Sequence, residues 1–190
     1  MEKRWVIKDA DEDKVNSLQQ DLKVHPVVCK LLVQRGIYTY EAARKFFRPV
    51  LTDLYDPFLM KDMQKAIDRI NTAIANNERI LIYGDYDVDG TTSVALAYSF
   101  FYSIYKNIDY YIPDRYLEGY GISIKGIDHA KQTECSLVIA LDCGIKAVDK
   151  IAYANTLGVD FIICDLNIPG DKVTAASAAK NPDKKDCKYP

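Results

Sequence analysis

Hydrophobic and polar positions change period along this chain. Met63, Ala66, Ile67, Ile70 and Ile74 recur at i, i+3, i+4 and i+7, which predicts a helix over 63–74 with one apolar face. The next run, Ile80-Leu81-Ile82-Tyr83, is continuous rather than alternating, as in a strand covered on both faces. A small, apolar helical stretch follows over 91–105. Then come a strand over 108–112, a helix near 122–131, a strand over 136–141, a helix near 145–157 and a strand over 159–164. Alternation of apolar strands with helices predicts an α/β fold, a parallel sheet flanked by helices with right-handed crossovers. Residues 166–190, with Pro169, Pro182 and Pro190, read as loop with one short edge strand.

The first 60 residues follow only the helical period. Val15, Leu18 and Leu22 share a face over 11–22. Pro26 opens a second helix, 27–34, which Gly36 stops; Thr39 caps a third, 40–47, ending before Pro49. A small helical N-terminal segment, 1–60, therefore precedes an α/β domain over 61–190. Its basic residues (Lys30, Arg35, Arg44, Lys45, Arg48) fit a phosphate backbone and fit a solvated helix face equally well.

Composition narrows the classes. A length of 190 residues allows one good core, or one domain with an appendage. The net charge of −2 excludes a protein that coats nucleic acid through bulk charge, so such a contact needs a local patch. Five cysteines without CxxC spacing imply reduced thiols and a cytoplasmic protein. The N-terminus lacks the long apolar region of a signal peptide. No apolar run approaches the roughly 18 residues of a membrane span.

The candidate chemistry starts in Gly84-Asp85-Tyr86-Asp87-Val88-Asp89-Gly90. Three carboxylates at alternate positions repel one another, and a hard divalent cation with oxygen ligands relieves that repulsion. An EF-hand also begins D-x-D-x-D-G, but its twelfth position needs Glu where Leu96 stands, and it needs a helix in front. A phosphate-binding P-loop lacks its Lys here and would set three acids against the phosphates. A merely solvated acidic turn ignores its place: strand-to-helix turns at the carboxyl edge of a parallel sheet are where α/β proteins bind ligands. Two further strands end in acid, at Asp142 and Asp165. All five aspartates can converge on that edge, around one or two Mg²⁺ or Mn²⁺ ions. Two such ions hold a phosphoryl group and lower the pKa of a bound water. Arg115 follows the second strand on the same edge; its fork suits a phosphate oxygen or an ion pair with one of the carboxylates. Glu118 reads as a hydrogen-bond acceptor within its turn. Cys143 and Cys164 read as packing residues.

Four stretches now carry a resemblance. GDYDVDGTTSVAL, YYIPDRYLEGYGIS, LVIALDCGIKA and IICD…IPGD…NPDKKDCKYP resemble successive motifs of the DHH phosphoesterase superfamily and, within it, the RecJ family of single-stranded-DNA-specific exonucleases. LLVQRGIYTYEAARKFFRP and LYDPFLMKDMQKAIDRI resemble that family's lead-in segment. The resemblance implies a parallel α/β domain, Mn²⁺ or Mg²⁺, and 5′-to-3′ removal of nucleotides from single-stranded DNA. It implies Asp87, Asp89 and Asp142 as metal ligands, with Asp142 able to bridge two ions and Asp85 a supporting or weaker ligand. It implies Asp142 and Asp165 at catalytic positions, and Arg115, Gly119 and Gly121 at the substrate. The implied setting is a cytoplasmic monomer, away from membranes, in contact with repair or recombination proteins.

The sequence also departs from the family pattern. The position of the Asp-His-His motif reads Asp165-Leu166-Asn167, and the two histidines, His25 and His129, follow no motif strand. Leu cannot ligate a metal, and Asn offers a neutral amide in place of an imidazole. Family members carry a further metal-binding Asp and a second domain beyond this point. The expectation is the N-terminal part of such a protein, weakly active or inactive alone. The alternative is a non-catalytic domain that binds metal, nucleic acid or a protein partner. A response-regulator receiver also gathers carboxylates at strand ends, but its phosphoacceptor Asp and late Lys have no clear equivalent here.

Overall fold

The computed structural model describes Arg4, residues 6–172 and residues 174–190. Residues 1–3 and 5 of the N-terminal stretch read above for a signal peptide lie outside the described residues. The chain forms two compact units, Met1–Leu54 and Tyr55–Pro190.

The first unit holds α1 (Glu12–Leu22), α2 (Pro26–Val33), α3 (Tyr40–Phe47) and a 3-10 turn at Leu51–Asp53. Each helix starts at a side chain that accepts from its free amides. Asp11 takes the amides of Asp13 and Lys14, and Thr39 takes that of Ala42. His25 does the same for α2 through Nδ1, which accepts from the Val27 amide. Pro26 is itself the first helical residue, one earlier than the pattern predicts, because its missing N–H costs nothing there. Val15, Leu18, Cys29, Leu32 and Ala43 form a small core.

The second unit opens with a 3-10 turn at Pro57–Leu59 and α4 (Met63–Ala75), and then alternates. Its order is β1 (Arg79–Gly84), α5 (Val88–Ile104), β2 (Ile108–Tyr111), α6 (Ile124–Gln132), β3 (Cys135–Leu141), α7 (Val148–Thr156), β4 (Asp160–Cys164) and β5 (Ala178–Lys180). The five strands form one sheet in the order β2-β1-β3-β4-β5, and every pair is parallel. Ile82 stands between Tyr110 and Ile139, and Ile162 between Ile139 and Ala178.

Successive strand residues face opposite layers, and both layers are apolar. Leu81, Tyr83, Val138, Phe161 and Ile163 pack with Ile127, Ala130, Ile151 and Ala154 of α6 and α7. Ile80, Ile82, Leu137, Ile139 and Ile162 pack with Ala66 and Ala73 of α4 and Val94 of α5. Burial on both faces is why these strands read as continuous apolar runs. Among the described residues no helix is long and apolar enough to cross a membrane.

The starts of α5 and α7 differ most from the sequence pattern, by three residues each. α5 begins at Val88 rather than Thr91, because the Asp87 side chain accepts from the Gly90 amide and caps the helix three residues earlier. α7 begins at Val148 rather than Ile145, because the Ile145 amide is held by Asp165 instead of entering a helical turn. The strand order decides where a ligand can sit. From β1 the chain crosses to β2 on one side, then returns to β3 on the other. Between β1 and β3 the direction of winding reverses and a crevice opens at the carboxyl edge.

Candidate metal centre

β1 delivers Asp85 into that crevice. The turn after it is tight: a Cβ added to Gly90 would lie 2.3 Å from the Asp85 carbonyl oxygen and 2.6 Å from its nitrogen. Only glycine lets the first turn of α5 start against that backbone. The Asp85 side chain is fully buried. Its Oδ1 accepts from the Tyr86 amide at 2.8 Å and, at a long 3.5 Å, from the Gly121 amide. Among the described residues its Oδ2 is buried without any partner. A carboxylate oxygen stripped of water and left unpaired is costly, and a cation relieves the cost.

Gly121 is fixed from below. Its carbonyl accepts from the Tyr83 hydroxyl at 2.9 Å, and that hydroxyl accepts from the Ser123 amide at 3.0 Å. Its φ of +78° is the left-handed conformation that glycine adopts without strain. Gly119 has the same φ and shapes the preceding bend.

Asp87 and Asp89 stand exposed at the start of α5, where the positive end of the helix dipole favours carboxylates. Asp142 follows β3 in the left-handed conformation, φ 59°, its amide donating to the Cys164 carbonyl at 2.8 Å. Burial raises the Asp142 carboxyl above the ordinary range, and the charges of Asp87, Asp89, Asp165 and Asp85 raise it further. The charges of the four other aspartates at the strand ends thus all reach Asp142.

Asp165 differs from the rest. It is buried, and both its oxygens are engaged: Oδ2 accepts from the Ile145 amide, and Oδ1 from the Asn167 amide and side-chain Nδ2, each at 2.8 Å. The next residue, Leu166, is 71% exposed and carries no donor atom. His25 caps α2 in the first unit, and His129 packs on the Tyr111 ring at 5.0 Å.

The donors fit a hard divalent cation, and the orphaned Asp85 Oδ2 supplies the clearest demand for one. Among the described residues no group of three His, Cys, Asp or Glu side chains is close enough to enclose an ion. Mg²⁺ is commonly held by one or two carboxylates with waters and substrate phosphates completing its shell, which suits such an open set.

The loop 112–123 forms the facing wall. Glu118 is the structural acceptor expected of it, taking the hydroxyls of Tyr111 and Ser123 and the Asp114 amide. Arg115 is exposed, with its guanidinium over the Tyr86 ring at 5.3 Å. Among the described residues it forms no ion pair, so the salt-bridge alternative is not the one adopted. Tyr86 meets Tyr120 edge to face at 6.1 Å. Asn167 Nδ2 lies 3.5 Å from the Tyr120 hydroxyl; that contact favours ionisation, but burial and the charges of Asp85, Asp142 and Asp87 prevail and raise the phenol. A cavity of about 380 Å³ lies behind Tyr120, lined also by Gly121, Ile145, Lys146, Lys150 and Asn167. Cys143 and Cys164 are packing residues whose thiols burial pushes up. Sequence reasoning passed over Tyr83, Tyr86 and Tyr120. Two of these lie directly between residues it had singled out, in D-Y-D and G-Y-G, and that interleaving was the available signal.

A parallel α/β domain with a carboxylate-rich crevice at its topological switch point is the class that fold and site define. A model of the DHH family, N-terminal domain, matches residues 79–188. The chain belongs to the DHH family. It is 43% identical over 187 residues to the single-stranded-DNA-specific exonuclease RecJ of Bacillus subtilis (strain 168), which is 98% of this chain and 24% of that protein. It is 30% identical over 192 residues to RecJ of Escherichia coli (strain K12), covering 32% of it. The chain therefore spans about a quarter to a third of the length of these curated relatives. Among solved structures it resembles exonuclease RecJ bound to manganese, with a TM-score of 0.61 and 25% identity over 67% of this chain and 32% of that one. It also shares the fold of RecJ in complex with Mn²⁺ from Thermus thermophilus, with a TM-score of 0.66 and 21% identity over 94% of this chain and 24% of that one.

Proposed function

We propose that this chain carries the carboxylate half of a metal-dependent phosphodiesterase that removes nucleotides from single-stranded DNA in the 5′-to-3′ direction. The observation that carries the reading is a buried Asp85 oxygen without a partner among the described residues, at the edge where the charges of Asp85, Asp87 and Asp89 act on Asp142. The relatives named as single-stranded-DNA-specific exonucleases support the substrate, and the manganese-bound neighbours support the ion.

Asp87, Asp89 and Asp142 would hold Mn²⁺ or Mg²⁺, with Asp142 able to bridge two ions and Asp85 Oδ2 adding a further oxygen. When bound, the ion supplies Lewis acidity and a water that ionises near neutral pH. Asp165 acts at one remove, holding Ile145 and Asn167 in the wall of the site. Arg115 presents its fork to a phosphate oxygen, and Gly119 and Gly121 let the nucleic acid come close to the backbone. No imidazole stands at Leu166 or Asn167, so turnover by the chain is slow. The five cysteines are free, in keeping with a reducing cytoplasm. The reading further takes a monomer that meets repair or recombination proteins.

Calorimetry with Mn²⁺ tests the site. The chain should bind the ion, and the Asp87→Ala, Asp142→Ala double variant should not. Binding by neither protein removes the metal site from the reading. Hydrolysis of 5′-phosphorylated single-stranded DNA should be metal-dependent and slow; brisk turnover would refute the part assigned to Leu166 and Asn167. The exposed Leu166 and the engaged Asn167 amide favour a second reading, a domain that binds without cleaving. Leu166→His with Asn167→His separates the two: a gain in turnover supports the nuclease, and none supports the binding domain.

A further inference from the structure

A second cavity, of about 340 Å³, also reaches the carboxylates. Its polar lining is Ser93, Asp142, Asp165 and Lys180; the rest, Leu166 among it, is apolar. Leu166 occupies a histidine position of the motif, so a side chain at 166 borders this cavity. Among the described residues the cation on its wall comes from β5 instead, as Lys180.

The backbone at Lys180 is fixed to the altered motif at both ends. Lys180 ends β5 and pairs with Cys164, the end of β4. Its carbonyl accepts from the Asp165 amide at 3.1 Å. The following side chain, the fully buried Asn181, donates through Nδ2 to the Asn167 carbonyl at 2.8 Å. The Lys180 side chain is half-buried, and its charge favours the thiolate of Cys164, a thiol that burial nonetheless pushes up. Cys164 lines the same cavity, which puts the ammonium at its wall. Among the described residues that ammonium forms no ion pair. Asp165 is not free to take it, since Ile145 and Asn167 engage both its oxygens. A half-buried cation without a counter-charge favours an incoming anion.

We propose that Lys180 is a substrate-binding residue whose ammonium takes a phosphate oxygen of single-stranded DNA in the cavity it shares with Asp142. The proposal rests on the nuclease reading above and deepens it. An ammonium is a compact charge with three donors and no acceptor, which suits a phosphate oxygen. A phosphate drawn to an ion at Asp142 meets that charge in the same cavity. Lys180 thus supplies, from the neighbouring strand, the positive group that Leu166 and Asn167 lack.

The test is fluorescence anisotropy with the 190-residue chain, using Ca²⁺ in place of Mn²⁺ and a labelled oligothymidylate as the probe. Affinity is followed from about 50 to about 200 mM salt. Lys180→Met and Lys180→Gln should each bind the strand about tenfold more weakly. Their slope of log affinity against log salt should be shallower by about 0.7, the value of one phosphate contact on a single strand. Lys180→Arg should keep both the affinity and the slope. By calorimetry the two neutral variants should bind Mn²⁺ at least as tightly as the wild type, because the aspartates are untouched and a neighbouring cation is gone. An unchanged slope in both neutral variants overturns the assignment and leaves the nuclease reading standing. Loss of Mn²⁺ binding in both makes Lys180 a brace of the site and overturns the assignment as well. A wild-type chain that does not bind the strand overturns the assignment and single-stranded DNA as the ligand together.

Discussion

Asp85 and Asp165 lie at the same edge of the sheet, each just past a strand and each buried, yet their surroundings make them different groups. Both oxygens of Asp165 are occupied by the chain itself, through Ile145 and Asn167. Asp85 has one oxygen occupied and, among the described residues, the other bare. A saturated buried carboxylate stabilises the loops that feed it; an unsaturated one is a standing demand for a cation. What distinguishes the two is the number of donors that the neighbouring loops aim at each carboxylate.

The largest expected effect breaks the crevice itself. Gly90→Ala drives a Cβ into the backbone of Asp85, so stability should fall by about 3 kcal/mol and Mn²⁺ binding should vanish, read by urea unfolding and calorimetry. An unaltered unfolding midpoint would show that the turn has more room than its geometry allows. Next, the two aspartates should separate. Asp165→Ala strands the buried Ile145 amide and should cost about 2 kcal/mol of stability. Asp85→Asn keeps the Oδ1 acceptor and removes a buried charge, so stability should hold while Mn²⁺ affinity drops by at least about tenfold. The reverse pattern would exchange the roles assigned to the two residues.

A finer probe leaves Asp85 intact and loosens what aims it. Tyr83→Phe removes the hydroxyl that holds Gly121 and Ser123; it should weaken Mn²⁺ binding about tenfold and stability by about 1 kcal/mol. Unchanged affinity would mean that Gly121 does not orient the carboxylate. The smallest effect lies in pH. Burial opposes ionisation of Glu118, but the Ser123 hydroxyl, the Asp114 amide, the Tyr111 hydroxyl and Lys125 favour the charged form and prevail, leaving its carboxyl below the ordinary value. The folded pKa is thus lower than the unfolded one. Its contribution is whole above about pH 4.5 and fades as pH falls through the folded value. Unfolding free energies of Glu118→Gln should therefore decline less steeply in acid than those of the wild type. Parallel acid slopes would remove Glu118 from the account.

Much of this could be read along the chain. The i, i+3, i+4 stripe of α4 and the apolar runs of β1, β3 and β4 depend on burial of nearby residues, so their period is written locally. The acids at the strand ends were legible for the same reason, as abrupt changes from apolar to charged. The early start of α5 was hidden, since Asp87, Thr91 and their neighbours all suit a helix start and only the backbone path selects one. The encounter of Tyr86 with Tyr120 and Arg115 was hidden because it joins residues on different loops.

The sequence by itself determined the α/β alternation, the helical N-terminal segment and the five aspartates at strand ends, because periodicity and charge are properties of neighbouring residues. Tertiary structure alone decided that β1 and β3 lie side by side, that Asp142 turns in the left-handed conformation, that Asp165 is saturated while Asp85 is not, and that Tyr120 borders the acids. Those outcomes depend on which distant amides, carbonyls and rings share a small volume, and a carboxylate has no role until its lone pairs have been counted against them.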